Sequence, residues 1–415
     1  MQITRGFQPE RPYRVAIVAH NLAEEGGIAA LSQYLRRQIE AADGYEVDMV
    51  SLPTSMRDGD SVRLLSPASW FRGPRVAAGF WRGAPCRRVG MIGAELEFMR
   101  CQPRKALTTM LRDYDLVQVV SGSPAWALAA RDCGKPVCLA VATLTAVERA
   151  ALLEKGRGAR IAWTRCMTRI MQQLDDRALR VAAVVFVINH WMEAHIAGRI
   201  GHERVVFAPP GVDTGFFRPP DRQSKRHYIL AVGRLADPRK NVSLLFAAYA
   251  LLLQGTSSAP DLILAGATMP GETELKLAQE LGVRHRIRMF AAITGEQLRD
   301  LYQDAAMLVL SSDEEGLGIV ILEAMACGVP VVATRCGGPE TVVVDGETGI
   351  LTPVGDAPTL AAAMKEILSD LHRLESMGSA ARDTVTRAFS LDAAFAPYLC
   401  AYNRLLDNRN APDPP

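Results

Sequence analysis

At 415 residues the chain exceeds one ordinary hydrophobic core, so two domains are expected. Hydrophobic residues make up 49% and charged ones 22%, the profile of a globular protein rather than a fibrous or disordered one. The balance of 47 Lys+Arg against 45 Asp+Glu leaves a net charge of +2, which excludes a global drive toward nucleic acid.

The leader MQITRGFQPERPYR has no apolar stretch of the kind a secretory signal needs, and no run of about 18 apolar residues follows it, so neither a signal nor a spanning helix is expected. Eight cysteines follow no CxxC or metal spacing and several lie in apolar runs, as buried thiols in a reducing cytoplasm would. "RVAIVAH" (14–20) reads as a buried strand. A Gly26-Gly27 turn, the amphipathic "IAALSQYLRRQIEAA" and the strand "YEVDMVSL" come next. Further strands are expected at 115–120, 135–143, 183–189 and 204–210, with helical patterns between them. Strand alternating with helix implies a parallel sheet covered on both faces. "PPGVDTGFFRPPDRQSKR" (209–226) breaks the pattern and reads as a linker. The rhythm restarts with "YILAVGRL" (228–235), "DLILAG" (261–266), "IRMFAA" (287–292), "MLVLSS" (307–312) and "VPVVAT" (329–334). A last helix, "SLDAAFAPYLCAYNRLL" (390–406), has Ser390 in position to cap it.

The expected organisation is therefore α/β, with two doubly wound, Rossmann-like domains. Residues 1–211 form the first, 212–226 the linker and 227–389 the second, and a C-terminal helix (390–408) is expected to pack back on the first. Ligands of such sheets bind outside the carboxyl ends of the strands. The loops after residues 20, 143, 235, 266, 292 and 312 are thus expected to face one cleft.

"DEEGLGIVILEAMACGVPVVAT" (313–334) places Glu323 on an otherwise apolar helix, eight residues after Glu315. Gly316 and Gly318 permit close backbone approach, and the amides of Leu317, Gly318 and Ile319 would be donors at a helix N-terminus. Side chains lean toward that terminus, so Glu323 would point at whatever binds there, for instance the vicinal hydroxyls of a ribose. Alternatively Glu323 is an acid bonded inside the fold and Glu315 a solvated loop residue. "AVGRLADPRKN" offers Arg234 at a strand end and Lys240 at the next helix, two cations able to grip a diphosphate or simply to face solvent. Gly26 and Gly27 form either another amide nest or a plain tight turn. GxGxxG, GxxxxGK[ST], GxSxG and HExxH are all absent, which argues against dehydrogenase, P-loop, α/β-hydrolase and zincin chemistry.

In combination, the Gly-Gly loop, "PPGVDTGFF", "VGRL…KN", "LILAG", the segment around Glu315 and Glu323, and "GGPETVVVDGETGIL" (337–351) resemble the retaining glycosyltransferases of family 4, which have the GT-B fold of two such domains facing across a cleft. The likeness covers nearly all of the C-terminal half and is looser over residues 1–210. The resemblance implies a metal-independent hexosyltransferase whose donor is a nucleotide-diphospho-sugar, a UDP-sugar first and GDP-mannose next. It implies that Arg234 and Lys240 bind the diphosphate, Glu323 the ribose, Glu315 the transferred sugar, and the backbone around Phe290 to Ala292 the base, with Gly266 in the adjoining loop. No cofactor beyond the donor is implied. Members of the family commonly carry a His where this chain has Ala142 followed by Thr143; His20, ending the first strand, reads either as a partial substitute or as a buried or acceptor-side His. An epimerase or hydrolase of the same fold, and a silent sugar-nucleotide-binding protein, are the competing readings.

Residues 57–112 hold eleven Lys+Arg against four Asp+Glu, with Trp70, Phe71, Phe80, Trp81 and Phe98 among them. Two readings stand: contact with a lipid-linked acceptor or an anionic membrane on its cytoplasmic face, or a solvated excursion from the domain.

Overall fold

The computed structural model describes residues 11–20, 22, 26–55, 58–93, 95–221, 227–256 and 259–410. Outside them lie the first ten residues of the leader, most of the turn at 21–25, Arg57 and the last part of the expected linker, 222–226. The chain divides into two compact units, Met1–Ala208 with Phe395–Pro415, and Pro209–Ala394.

The first unit is built on eight strands: β1 Tyr13–His20, β2 Tyr45–Leu52, β3 Val76–Trp81, β4 Ala84–Val89, β5 Leu116–Ser121, β6 Val137–Val141, β7 Val184–Val187 and β8 Val205–Phe207, in the order β3-β4-β2-β1-β5-β6-β7-β8. All neighbours are parallel except β3 with β4. β5, β6 and β7 are buried along their whole length, as strands covered on both faces must be. Helix α1 (Gly27–Ala41) covers one face with Leu31, Leu35 and Ile39, and α2 (Ala159–Val181) covers the other with Met171, Leu174 and Leu179. Asp175 of α2 accepts the backbone N–H groups of Ala125 (2.9 Å) and Thr145 (3.2 Å), tying down the loops after β5 and β6. Burial pushes its carboxyl up to about 6.

The second unit has six parallel strands: β9 Tyr228–Arg234, β10 Asp261–Thr268, β11 Ile287–Ala291, β12 Ala305–Leu310, β13 Val331–Thr334 and β14 Gly349–Thr352, in the order β11-β10-β9-β12-β13-β14. The chain winds outward one way from β9 and the other way from β12, so the switch point lies between those two strands. Helices α3 (Val242–Gly255), α4 (Gly295–Asp304) and α5 (Ile319–Ala326) accompany them. α3 buries Leu245, Phe246, Tyr249 and Leu252, while α4 starts at a capping box formed by Thr294 and Gln297.

The last helix, α6 (Leu391–Asn410), begins where Ser390 Oγ accepts from the Ala393 N–H at 3.4 Å. From Phe395 onward it belongs to the first unit. Tyr398 donates to the Ala208 carbonyl (3.2 Å) and its ring lies 4.1 Å from Phe186, while Tyr402 donates to Gln118 Oε1 at 2.7 Å. Among the described residues no helix is long and apolar enough to cross a membrane.

Both units are thus doubly wound α/β, and the strands expected from apolar runs are present. The β3–β4 hairpin and β14 are the additions. β3 (VAAGFW) is apolar yet exposed along most of its length, and β4 alternates buried Ala84, Cys86 and Val89 with Pro85, Arg87 and Arg88, so neither is a strand covered on both faces.

Candidate functional site

In the second unit the strand ends nominated by sequence come together at the switch point. β9 ends at Arg234, and a short 3₁₀ turn, Pro238–Lys240, brings Lys240 back toward the sheet. The loop after β12 brings Glu315 to it: Lys240 Nζ donates to Glu315 Oε2 at 2.6 Å, with both side chains about 15% exposed (14% and 15%). The two residues are 75 apart in sequence and meet because β9 and β12 are neighbours.

A web of backbone contacts fixes this pair. Ser311 Oγ donates to the carbonyls of Lys240 and Asn241, at 2.9 and 3.1 Å. Asn241 Nδ2 donates to Asp313 Oδ1 at 2.8 Å, and the Asp313 N–H donates to the Arg239 carbonyl at 2.8 Å. On the other side the Glu315 N–H donates to Cys336 and its carbonyl accepts from Gly338 at 2.8 Å. Asn241 itself is left-handed (φ 43°), a conformation Asn tolerates better than most residues. Its Oδ1 caps α3 by accepting from the Leu244 N–H at 3.1 Å.

Gly318, left-handed at φ 84°, opens α5 three residues after Glu315. In the first turn of α5 the Ile321 N–H donates to the Gly318 carbonyl at 2.8 Å, while those of Ile319 and Val320 have no acceptor within the helix and lie at the carboxyl edge of the sheet. Leu317 is buried beneath them and Ile319 begins the helix. Glu323, one turn further, accepts from Tyr302 Oη at 2.8 Å. Desolvation pushes its carboxyl up to about 7, partly offset by the Tyr302 bond, and drives the Tyr302 phenol well above its ordinary value. Sequence reading missed Tyr302, which is an unremarkable apolar-face position of α4 until the fold brings it to Glu323.

The two nominated cations differ. Lys240 is held as described. Arg234 is mostly exposed, with Asp237 its nearest carboxylate at 3.5 Å, and Asp237 is engaged more closely by Arg239 at 2.7 Å. The Arg239 guanidinium holds the Asp237 carboxyl down to about 2. Arg239, Asp237, Asn241 and Asp313 are neighbours that sequence reasoning did not single out.

Gly266 lies beside β9 near the end of β10. A Cβ there would stand 2.0 Å from the Gly233 carbonyl oxygen, so only glycine lets the two strand ends approach this closely. Phe290 lies near the end of β11 with the Arg288 guanidinium 5.5 Å from its ring centre, and Ala292 is left-handed at φ 51° with its N–H donating to Gly266. Arg234, Lys240, Gly266, Phe290, Glu315 and the start of α5 therefore share the carboxyl edge of one sheet.

Gly26 and Gly27 belong to the first unit, exposed at the start of α1. That unit has its own switch point, between β1 and β5, and there His20 accepts the Gly122 N–H on Nε2 at 3.2 Å. The proton then sits on Nδ1, which is buried with no partner among the described residues. The ring stacks on Trp126 at 4.3 Å, and burial holds it down to about 4, so it is neutral at pH 7. The N–H groups of Ala142 and Thr143 donate to the carbonyls of Ser121 and Gly122. Among the described residues no three His, Cys, Asp or Glu side chains group to hold a metal ion.

A carboxylate beside an ammonium, donors at a helix start and a second carboxylate within the helix can hold a phosphate and vicinal hydroxyls together. Residues 214–384 match the family described as Glycosyl transferases group 1. The chain is 29% identical over 418 aligned positions to D-inositol 3-phosphate glycosyltransferase 1 of Catenulispora acidiphila, spanning 92% of this chain and 93% of that one. It is 34% identical over 221 residues to the GDP-mannose-dependent alpha-(1-6)-phosphatidylinositol monomannoside mannosyltransferase of Mycolicibacterium smegmatis, but this covers only 48% of the chain and 57% of the relative. In structure it is similar to sucrose-phosphate synthase from Thermosynechococcus elongatus, with a TM-score of 0.70 over 95% of this chain and all of that one, at 22% identity.

Proposed function

We propose that this chain, whose residues 214–384 match the glycosyl transferases group 1, moves a sugar from a nucleoside-diphosphate donor to a hydroxyl acceptor, with retention at the anomeric carbon and without a metal ion. The observation that carries this reading is the Lys240–Glu315 contact at the switch point, directly ahead of the α5 N-terminus. Lys240, Arg234 and the first α5 amides take the negative charge that grows on the departing diphosphate. Glu315 orients Lys240 and meets the transferred sugar, where positive charge develops. Glu323 accepts from the ribose hydroxyls, and the backbone near Phe290 and Ala292 faces the base. The departing phosphate takes the acceptor's proton, so the chain needs no nucleophile of its own. His20, neutral and stacked on Trp126, adds no charge to this balance.

The donor base is uracil first, from the family the chain resembles, and guanine second, a reading supported by the name of the mycobacterial relative. The acceptor presents a hydroxyl near an anionic group, in keeping with the inositol phosphate and phosphatidylinositol named for the two relatives.

Thermal unfolding with UDP, GDP, UDP-glucose and GDP-mannose tests the site directly, because a ligand at about a hundred times its Kd stabilises the native state by about 2.7 kcal/mol. The shift should appear with one base family and persist in EDTA, and donor turnover in EDTA should match that without it. Turnover that stops in EDTA and returns stoichiometrically with Mg²⁺ or Mn²⁺ sinks the metal-free mechanism. A flat response to all four ligands sinks the site.

A further inference from the structure

We propose that the β3–β4 hairpin and the loop before it, residues 62–92 of the first unit, form a docking surface for an anionic lipid bilayer.

Seven of the sixteen exposed large hydrophobic residues in the described chain fall between residues 64 and 92. Phe71 is 92% exposed, Leu65 87% and Phe80 82%, with Trp70 and Val76 also open to solvent. Apolar exposure concentrated this way marks an interaction surface rather than the ordinary scatter of surface side chains. The charge of the same stretch is one-sided: residues 62–92 contain six arginines and no Asp, Glu or Lys. Among the described residues Arg88 alone of the six is ion-paired, with Asp58 and Asp60, and Arg72, Arg75, Arg82 and Arg87 stay exposed.

The surface is held in place. The Val62 N–H donates to Met91 at 2.7 Å, the Arg75 N–H to Asp60 at 2.9 Å and the Gly90 N–H to Arg75 at 2.9 Å. Glu95 accepts the N–H groups of Leu64 and Leu65, and Trp70 Nε1 donates to the Arg63 carbonyl at 2.8 Å. On the hairpin, Trp81 Nε1 donates to the Leu22 carbonyl at 2.7 Å and the Arg82 guanidinium stacks over its ring. The bulky apolar groups are therefore presented outward by a fixed backbone.

Charge decides the occupant. β3 is an outer edge of the sheet, where a second copy of the chain could add a strand, but this would set one arginine-rich face against another. An anionic bilayer attracts the guanidinium groups and accepts Phe, Leu and Trp into its interface, as it does with basic amphipathic segments generally.

The test is co-sedimentation of the full chain with vesicles of phosphatidylcholine alone, or with phosphatidylglycerol added, at low and high salt. Binding should need phosphatidylglycerol and weaken with salt, since exposed charges are screened. Phe71→Ser with Phe80→Ser, and separately Arg72→Ser with Arg75→Ser and Arg82→Ser, should each lower partitioning at least about tenfold. All these side chains are exposed, and unchanged melting curves would show that the variants are folded. Equal binding to both vesicles, binding to neither, or variants that partition like the parent would overturn the proposal. So would a concentration-dependent dimer that Phe71→Ser with Phe80→Ser dissolves, which would assign the face to a second copy. No nucleotide sugar enters the experiment, so its outcome is independent of the transfer reaction.

Discussion

Glu315 and Glu323 stand eight residues apart and live in different surroundings. Glu315 faces an ammonium at 2.6 Å, while Glu323 faces a phenol inside the fold. Their roles in transfer should separate accordingly. In the proposed arrangement Glu323 meets the ribose, a part of the donor that does not change in the reaction, so Glu323→Ala should weaken donor and free nucleoside diphosphate alike, by roughly 1.5–3 kcal/mol. Glu315→Gln should instead lower kcat by about a hundredfold while leaving nucleoside-diphosphate affinity nearly unchanged, because its contact strengthens only as charge develops. Calorimetry with the nucleotide and steady-state kinetics separate the two outcomes. The pH dependence follows from the raised Glu323 carboxyl. Its folded value, about 7, lies above the ordinary 4.5, so the fold favours the protonated form. The destabilisation is absent below 4.5, grows as pH rises and is complete above about 7. Hydroxyls donate to the ionised form, so nucleotide affinity should rise across that upper limit and become flat in Glu323→Gln. A Glu323→Ala variant that binds nucleotide normally but melts far earlier would make the residue structural only.

At the scale of elements, the loops after β9 and β12 act as one piece: Ser311 bonds the backbone at Lys240 and Asn241, the Asp313 N–H bonds Arg239, and Asn241 and Lys240 bond the side chains of Asp313 and Glu315. Asn241 is the joint, combining a left-handed backbone, the α3 cap and the bond to Asp313. Asn241→Ala should cost about 2 kcal/mol, combining cap loss and left-handed strain. Asn241→Gly, which caps nearly as well and adopts that backbone freely, should recover most of it. Calorimetric unfolding checks the pair, and equal melting of Ala and Gly variants would refute the strain argument. The main strands were legible in the sequence because a parallel strand covered on both faces leaves an unbroken apolar run, as in "VCLAV" and "AAMLVL". The β3–β4 hairpin was not legible: β3 is apolar but includes the weak strand formers Ala77, Ala78 and Gly79, β4 is interrupted by Pro85, Arg87 and Arg88, and the Arg82-Gly83 turn lacks the usual Asn-Gly or Asp-Gly pair. At the site, the residue types were readable from spacing. That Glu315 would neutralise Lys240, and that Tyr302 would donate to Glu323, depends on strand order and helix packing that no local pattern encodes.

For the whole molecule, the family match at 214–384 lies inside the second unit, which is one continuous piece of chain, whereas the first is assembled from two. Its closing piece is anchored in a fully buried bond between Tyr402 and Gln118, whose Nε2 already donates to Val119. Tyr402→Phe should strand Gln118 Oε1 without a donor and cost about 1–3 kcal/mol, seen as a lower melting temperature with nucleotide affinity unchanged. A melting curve identical to the parent's would show that Gln118 finds another donor. The interruption also bears on the order of folding during synthesis. A ribosome adding about 5–20 residues per second needs roughly 10–40 s to pass from residue 208 to residue 395. Throughout that interval the nascent first sheet has Phe186 and Gln118 without Tyr398 and Tyr402 to cover them, while the second unit emerges complete. The half made first is therefore the last to reach its native stability, and it is the half that a trigger-type chaperone would have to hold.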